Sequence, residues 1–534
     1  MCGIIGFNFK TNNEKIFTST KHRGPDNTSK IEFGNFTLGH NRLSIVDHDE
    51  KSNQPFLSYD ERYIIVFNGE VYNHNEIREK LETKYVFRTK SDTEAILYAY
   101  VEYGEKCLDY FRGMFAFAIY DKQEDKLFCA RDRLGIKPFV YYAKSGKFIF
   151  GSEIKVILEV LGTKPDINQE SISQYLHYLY IPYPNTIFRD INKLPPAHTL
   201  TFQNGKCEIK KYWDIEDYKD INLEMNELEI ITSLDSILEE SVKIRMIADV
   251  DLGSFLSGGI DSSMILYYMN KNSSKQINTY TLGFENAKKY DETGDAKIMS
   301  DFFNTNHTEI IVNPNAAELL PKMVKHFDEP FGNPTSLLIH ELTKETRKLA
   351  TVALAGDGGD EIFGGYPRYK AILLANNLKH VPKSLFKLAS SFTNVIPESS
   401  NGNHNLRRIK TFVNSLSKSE DEMYEDWICY FNDNELNKLL REYKTYQHVV
   451  KDSWNSQKYN DGIMKSSIVD VKTFLPNNLL NYGDAMSMAN SFEVRFPLID
   501  HKVIEFMTSI DTKWRIKDNK TKYLMKKIFT YSAG

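Results

Sequence analysis

Hydrophobic and polar positions follow two rhythms in this 534-residue chain, and the change falls near residue 230. Before it, short apolar runs rich in aromatic and β-branched residues recur at 63–67, 114–120 and 126–130, each bounded by Gly, Asp or Asn. Such runs predict strands joined by turns. A helical stretch near 91–103 interrupts them. After residue 230 the pattern predicts a helix at 230–247, a strand at 251–257, a helix at 261–271, and strands at 277–284 and 351–355. Single strands alternating with helices predict an α/β domain with a parallel sheet covered on both faces. Between these halves, the acidic passage that follows Tyr212-Trp213-Asp214 has few aromatics. The expected organisation is a first domain over 1–210, a linker over 211–229 and a second domain over 230–534. No internal repeat stands out, and 398–405 is expected to be a loop.

Length supports this division, because one hydrophobic core rarely serves so long a chain. A hydrophobic fraction of 41% and a charged fraction of 26% are those of a soluble globular protein. The net charge of -5 gives no reason to expect nucleic acid as a partner. The five cysteines are odd in number, scattered, and without paired metal-ligand spacing, which suggests a reducing compartment. Nothing at the amino end reads as a basic region followed by an apolar run, and no stretch approaches the roughly 18 apolar residues of a membrane span. A cytoplasmic enzyme without a membrane partner is expected.

Three segments carry candidate chemistry. Cys2 follows Met1 directly, so removal of Met1 leaves one residue with both a thiol and a free α-amino group. The amine's ordinary pKa, roughly 7.7 to 8, lets it accept the thiol's proton, which makes a self-contained nucleophile and base. Read alone, Cys2 is equally a small hydrophobe at the start of a buried strand. The second segment, Ser257-Gly258-Gly259-Ile260-Asp261-Ser262-Ser263, joins a strand to a helix. Its N–H groups, paired glycines and hydroxyls suit a phosphate, and Asp261 fits there if a divalent cation bridges it to the anion. The bland reading is a glycine turn with a helix cap. The third, Ala355-Gly356-Asp357-Gly358-Gly359-Asp360-Glu361, follows a strand and crowds three acidic groups among glycines. Crowded carboxylates repel unless a cation or proton intervenes, so Asp360 is a candidate second metal ligand and Asp357 a candidate base; the alternative is a solvated acidic turn.

With these segments go Cys2-Gly3-Ile4, His22-Arg23-Gly24-Pro25-Asp26, His40-Asn41-Arg42-Leu43-Ser44-Ile45-Val46, Asn68-Gly69-Glu70-Val71-Tyr72-Asn73, Ser91-Asp92-Thr93-Glu94 and Arg131-Asp132-Arg133-Leu134-Gly135-Ile136-Lys137-Pro138. In number and order they make the chain resemble the glutamine-dependent asparagine synthetases over nearly its whole length. The resemblance implies an N-terminal class II glutamine amidotransferase domain, an αββα N-terminal-nucleophile sandwich. Behind it comes an ATP pyrophosphatase domain with extra helices.

The resemblance also implies roles. Cys2 attacks the side-chain amide of glutamine, giving a γ-glutamyl thioester and ammonia, with Asn68 and the N–H of Gly69 as oxyanion donors. Arg42 pairs with the α-carboxylate of glutamine and Asp92 with its α-ammonium, while Leu43, Ser44, Ile45, Val46 and Glu70 complete the pocket. In the second domain ATP activates a carboxylate as its acyl-adenylate. Pyrophosphate leaves onto Ser257, Gly258, Gly259, Ser262 and Ser263 through magnesium held by Asp261 and Asp360. Phe255, Leu282, Ala355 and Gly356 line the nucleotide, Lys522 faces its phosphates and Asp357 supports adenylate formation. Ammonia reaches the second site through an internal channel. Asp470, Asp484, residues 486–489 and 493–497 look like a helical acceptor region.

Aspartate is the acceptor that the resemblance implies. A related amidotransferase acting on another carboxylate, such as a surface-sugar acid, and a regulatory protein with a silent ATP half are the other readings. Similar enzymes are commonly homodimers. They often have serine at the position of Ala355 and some have glutamate at that of Asp357, and a proline and an Arg-x-Lys-Gly-Phe segment are expected past Gly534.

Overall fold

The computed structural model describes residues 1–285, 291–313, 315–395 and 404–533. Most of the expected loop at 398–405 lies outside them, and a helix, His404–Ser415, begins at its end.

The first half is a four-layer sandwich. One sheet takes the antiparallel order β10-β8-β9-β1-β3-β2, with β1 Gly3–Phe7, β2 Asn27–Phe33, β3 Phe36–Arg42, β8 Val140–Lys144, β9 Lys147–Gly151 and β10 Ile191–Lys193. The other takes the order β12-β11-β7-β6-β5-β4, with β4 Phe56–Leu57, β5 Tyr63–Val71, β6 Gly113–Asp121, β7 Lys126–Arg131, β11 His198–Gln203 and β12 Lys206–Lys211. β5 shows why its run is apolar at successive positions. Side chains alternate along a strand. Ile64 and Val66 therefore enter the core between the sheets with Ile4, Leu38, Ala116 and Ala118. Ile65 and Phe67 face outward, under a helical layer that includes Ile96, Leu97 and Ala99 of the helix Asp92–Tyr103. Ser91 caps that helix by accepting from Glu94 N. On the opposite outer face, Val156 and Ile157 of the helix Ile154–Leu161 cover Ile5, Phe7 and Ile149.

The second half begins with the helix Glu227–Ile244, closed at its start by the Asn226/Glu229 capping box. It builds a parallel sheet in the order β15-β14-β13-β16-β17, with β13 Leu252–Phe255, β14 Asn278–Phe284, β15 Asn306–Val312, β16 Val352–Leu354 and β17 Glu493–Arg495. The chain leaves β13 toward β14 and β15 on one side and returns to β16 on the other. This reversal opens a crevice at the carboxyl ends of β13 and β16, where open α/β sheets hold ligands. One expectation is corrected here: 493–497 looked like part of a helical region, but Glu493–Arg495 pairs in parallel with β16. Three residues are too few to carry a legible alternation.

Buried ion pairs lock the halves together. Asp484 accepts from Arg23 at 2.8 Å and Lys137 at 3.1 Å. Burial would raise its pKa, but the two cations hold it below the usual carboxylate range. Asp500 joins Arg112 at 2.8 Å to Arg245 at 2.6 Å. Losing one partner of such a pair costs about 3–5 kcal/mol, because it strands a buried charge. All five cysteines are free, and among the described residues no helix is long and apolar enough to cross a membrane.

Candidate active site

Two clefts hold the candidate residues. Cys2 stands just before β1, 8% exposed. Its N–H donates to Asn68 Oδ1 at 2.9 Å, and its carbonyl accepts from Arg23 Nε at 3.0 Å. The first bond fixes the Asn68 amide by its oxygen and leaves Nδ2 buried without a hydrogen-bond partner. A buried unpaired donor costs about 1–3 kcal/mol, so this one stores capacity for an incoming acceptor. Beside it Gly69 has φ +147°, and a Cβ there would lie 2.1 Å from the Met114 carbonyl oxygen, so only glycine lets β5 approach β6 so closely.

A small cleft opens in front of Cys2, lined by Met1, Arg42, Leu43, Ile45, Val46, Gly69, Glu70 and Asp92. Ser44 is not in the lining; its N–H donates to Asp26 Oδ2 at 2.8 Å. Arg42 is held in place by donating to the carbonyls of Asp47 and Asp49 and to Asn53 Oδ1. Asp92 Oδ2 accepts from Val71 N at 3.0 Å. Burial pushes Asp92 up to about 7. Burial, then the nearby Asp92, pushes Glu70 up to about 8 although Arg495 pulls it down. Two buried carboxyl groups with so little neutralising charge favour a cationic guest.

The second cleft is the crevice beside β13 and β16. After β13 come Ser257, Gly258 and Gly259; Gly259 caps the helix Ile260–Lys271, whose first turn presents N–H groups and the positive end of the helix dipole. Ser257 N and Oγ lie 3.2 and 3.1 Å from Ser262 Oγ, while Ser263 Oγ is buried without a partner. After β16 the chain runs through Ala355 and Gly356 to Asp360. Asp261 leans into space that glycines vacate: a Cβ on Gly359 would lie 2.8 Å from its Cγ. Lys522 Nζ sits 2.5 Å from Asp261 Oδ2 and 2.6 Å from Asp360 Oδ1. Its backbone takes the left-handed φ of +51°, rare for a residue with a Cβ. Burial raises Asp261 against the pull of Lys522, and Asp261 Oδ1 is buried without a partner. Phe255 ends β13 and stacks on Phe492 with centroids 5.8 Å apart, while Leu282 lies in β14 opposite Ile310.

Asp357 is pushed up to about 6, first by burial and then by the charges of Asp261 and Asp360. A carboxyl raised in the folded state still binds its proton at pH values where the unfolded chain has lost it. It therefore lowers stability as pH climbs from about 4 through 6, and costs nothing below that window. Asp357→Asn is expected to melt a few degrees above the unsubstituted chain at pH 7.5, with the gap closing toward pH 4.5. Thermal unfolding at both values checks this, and a gap independent of pH contradicts it.

Sequence reading did not find the strand that joins the clefts. Glu493 lines the first cleft and its carboxylate lies 3.4 Å from the Met1 amine. Arg495 Nη2 lies 3.6 Å from Glu70 Oε2, and the Arg495 carbonyl accepts from Ala355 N at 2.9 Å. β17 thus touches the Cys2 cleft with its side chains and the Asp357 loop with its backbone. More than four hundred positions separate Glu493 from Cys2, and no local pattern could relate them.

A family model described as "Glutamine amidotransferase domain" matches residues 1–213, and one described as "Asparagine synthase" matches residues 233–531. The glutamine-hydrolyzing asparagine synthetase 1 of Bacillus subtilis is 33% identical over 549 residues, covering 99% of this chain and 84% of its own. Asparagine synthetase 3 of the same organism is 29% identical, again over 99% and 84%. The amidase chyE of Penicillium rubens is 27% identical over 97% and 83%. With two clefts joined by β17 and a 33% identical relative spanning nearly its full length, the chain belongs to the glutamine-hydrolysing asparagine synthetase family.

Proposed function

We propose that the chain amidates L-aspartate to L-asparagine with ammonia from glutamine, through a β-aspartyl-adenylate, releasing AMP and pyrophosphate. The observation that carries this reading is β17, one strand in contact with a thiol cleft on one side and a phosphate-type crevice on the other. Residues 1–210 form the glutaminase unit, 211–229 the linker and 230–534 the synthetase unit. The protein is cytoplasmic, in keeping with its free and partly exposed thiols, and homodimeric, as its resemblance implies.

In the first cleft, loss of Met1 gives Cys2 a free amine that takes the proton of its own thiol as sulfur attacks the glutamine amide. Asn68 Nδ2 and the Gly69 N–H receive the negative charge on the amide oxygen, each worth about 3–4 kcal/mol. Arg42 pairs with the α-carboxylate of glutamine, and Asp92 with Glu70 takes its ammonium. Leu43, Ile45 and Val46 wall the pocket, and Ser44 steadies the segment that carries them through its N–H bond to Asp26.

In the second cleft, Ser257, Gly258, Gly259, Ser262 and Ser263 grip the departing pyrophosphate, and Lys522 supplies a point charge to it. Phe255, Leu282, Ala355 and Gly356 line the nucleotide. Asp261 and Asp360 are the residues that would hold magnesium, which the unpartnered Asp261 Oδ1 and the hard oxygen donors fit. When bound, the ion neutralises charge between these carboxylates and the polyphosphate. Asp357, ionised above about 6, orients the acceptor's activated carboxyl and takes a proton from the attacking ammonia.

The test is pyrophosphate release with ATP, magnesium and glutamine. Addition of aspartate is expected to start it, with asparagine and glutamate formed in step. Release that ignores aspartate and follows another carboxylic acid assigns the chain to an amidotransferase of a different acceptor.

A further inference from the structure

Away from both clefts, three helices bring His177, Glu425 and His448 together. His177 lies in the helix Gln169–Tyr178 of the first half, Glu425 in Glu420–Ile428, and His448 immediately before Val449–Asn455. One nitrogen or oxygen from each lies within 4.8 Å of the others. His177 Nδ1 is 2.7 Å from the Phe431 carbonyl oxygen. A carbonyl only accepts, so Nδ1 carries the proton. In a neutral ring Nε2 then points a lone pair at Glu425 Oε1, 3.1 Å away. His448 repeats the conflict: Nδ1 is 2.8 Å from the same Oε1, and Nε2 is 3.5 Å from Asp433 Oδ2. Either tautomer leaves a lone pair facing a carboxylate.

Two doubly protonated rings would remove the clash, but at the expense of crowding. Lys451 already lies 3.4 Å from Glu425 Oε2, and Tyr178 donates to Oε1 at 2.7 Å. Two imidazolium ions and an ammonium would then share Glu425, whose side chain is only 3% exposed, with Asp433 facing the outer nitrogen of one ring. Meanwhile Glu425 Oε2, buried, makes no well-formed hydrogen bond and faces only the Lys451 ammonium at 3.4 Å. A divalent cation resolves all of this. His177 Nε2, His448 Nδ1 and the Glu425 carboxylate are a nitrogen and oxygen donor set suited to zinc. The bond from His177 Nδ1 to the Phe431 carbonyl and the approach of His448 Nε2 to Asp433 are the outer contacts that orient metal-bound imidazoles. A cavity of about 240 Å³ beside them, which Cys429 also lines, leaves room for a fourth ligand.

We propose that His177, Glu425 and His448 bind one zinc-class divalent cation, which ties the last helix of the first half to two helices of the second. The site is structural: none of the three residues lines either cleft.

The experiment uses the full-length chain carrying Cys2→Ala, so that the catalytic thiol takes no metal, after stripping with a chelator. Cobalt(II) and zinc(II) are titrated in, zinc against a chromophoric chelator. One equivalent is expected to bind at micromolar concentration or below, with tetrahedral cobalt bands. Glu425→Gln and His448→Ala should each weaken it by about 100-fold or more. Affinity should fall as pH drops from 8 to 6, by up to about tenfold per unit for each imidazole proton that must leave. Since His177→Ala risks misfolding, imidazole nitrogen NMR of the Cys2→Ala chain supplies a second reading: zinc should shift both rings and remove their extra protons. No binding at 100 μM zinc, equal affinity in every variant, or rings that stay doubly protonated in excess zinc would each overturn the proposal.

Discussion

Cys2→Ala is expected to abolish asparagine synthesis from glutamine, by ~10⁴-fold or more, and to leave synthesis from ammonia within about twofold. The asymmetry follows from where sulfur sits. Its loss removes the thiol that attacks the amide, and without that attack the Asn68 and Gly69 donors have no anion to stabilise. The second cleft receives ammonia from solution whatever happened in the first. Packing is little disturbed, since alanine keeps the Cys2 N–H bond to Asn68 Oδ1 and removes one atom from a site already next to a cleft. Steady-state assays with glutamine and with ammonium chloride, run beside a glutamate-release assay, measure both arms. Glutamate release surviving in Cys2→Ala would show that some other group attacks the amide.

What could be read from the chain depended on how locally each feature is encoded. The phosphate-type loop and the acidic loop are contiguous, and each follows a strand whose apolar run announces it, so their residues could be named with the crevice still unseen. β5 was legible because it is buried on both faces, which makes its run continuous. The partnership of these segments was not legible: that Lys522 bridges Asp261 and Asp360, or that Gly365 makes room for it, depends on packing between segments far apart in the chain. The strand Glu493–Arg495 failed for a different reason. Glu493 and Arg495 are polar, buried and paired with each other, Arg495 also with Glu70, which leaves Val494 as the strand's single apolar position. His177 and Glu425 stand in two unrelated helices, His448 precedes a third, and the three share no motif.

Asp261→Asn and Asp360→Asn are each expected to cut aspartate-dependent pyrophosphate release by ~10³-fold while glutaminase activity stays within about twofold. Either change removes a negative charge from the pair that would hold magnesium, and losing about 4 kcal/mol of charge stabilisation corresponds to roughly that factor. The two residues touch the same Lys522 ammonium, so their effects should not add. In the double variant the loss should barely exceed that of either single one, because the polyphosphate site is already gone. Stability should move the other way for Asp261→Asn. Its carboxyl is raised by burial, so the amide removes a charge that is costly to bury at neutral pH while Lys522 keeps Asp360 as a partner, and the melting temperature should hold or rise. A variant that loses activity and melts early has only unfolded. One that loses pyrophosphate release, keeps its glutaminase and melts no earlier places these carboxylates at the phosphates, whereas pyrophosphate release persisting in both single variants would remove them from the reaction.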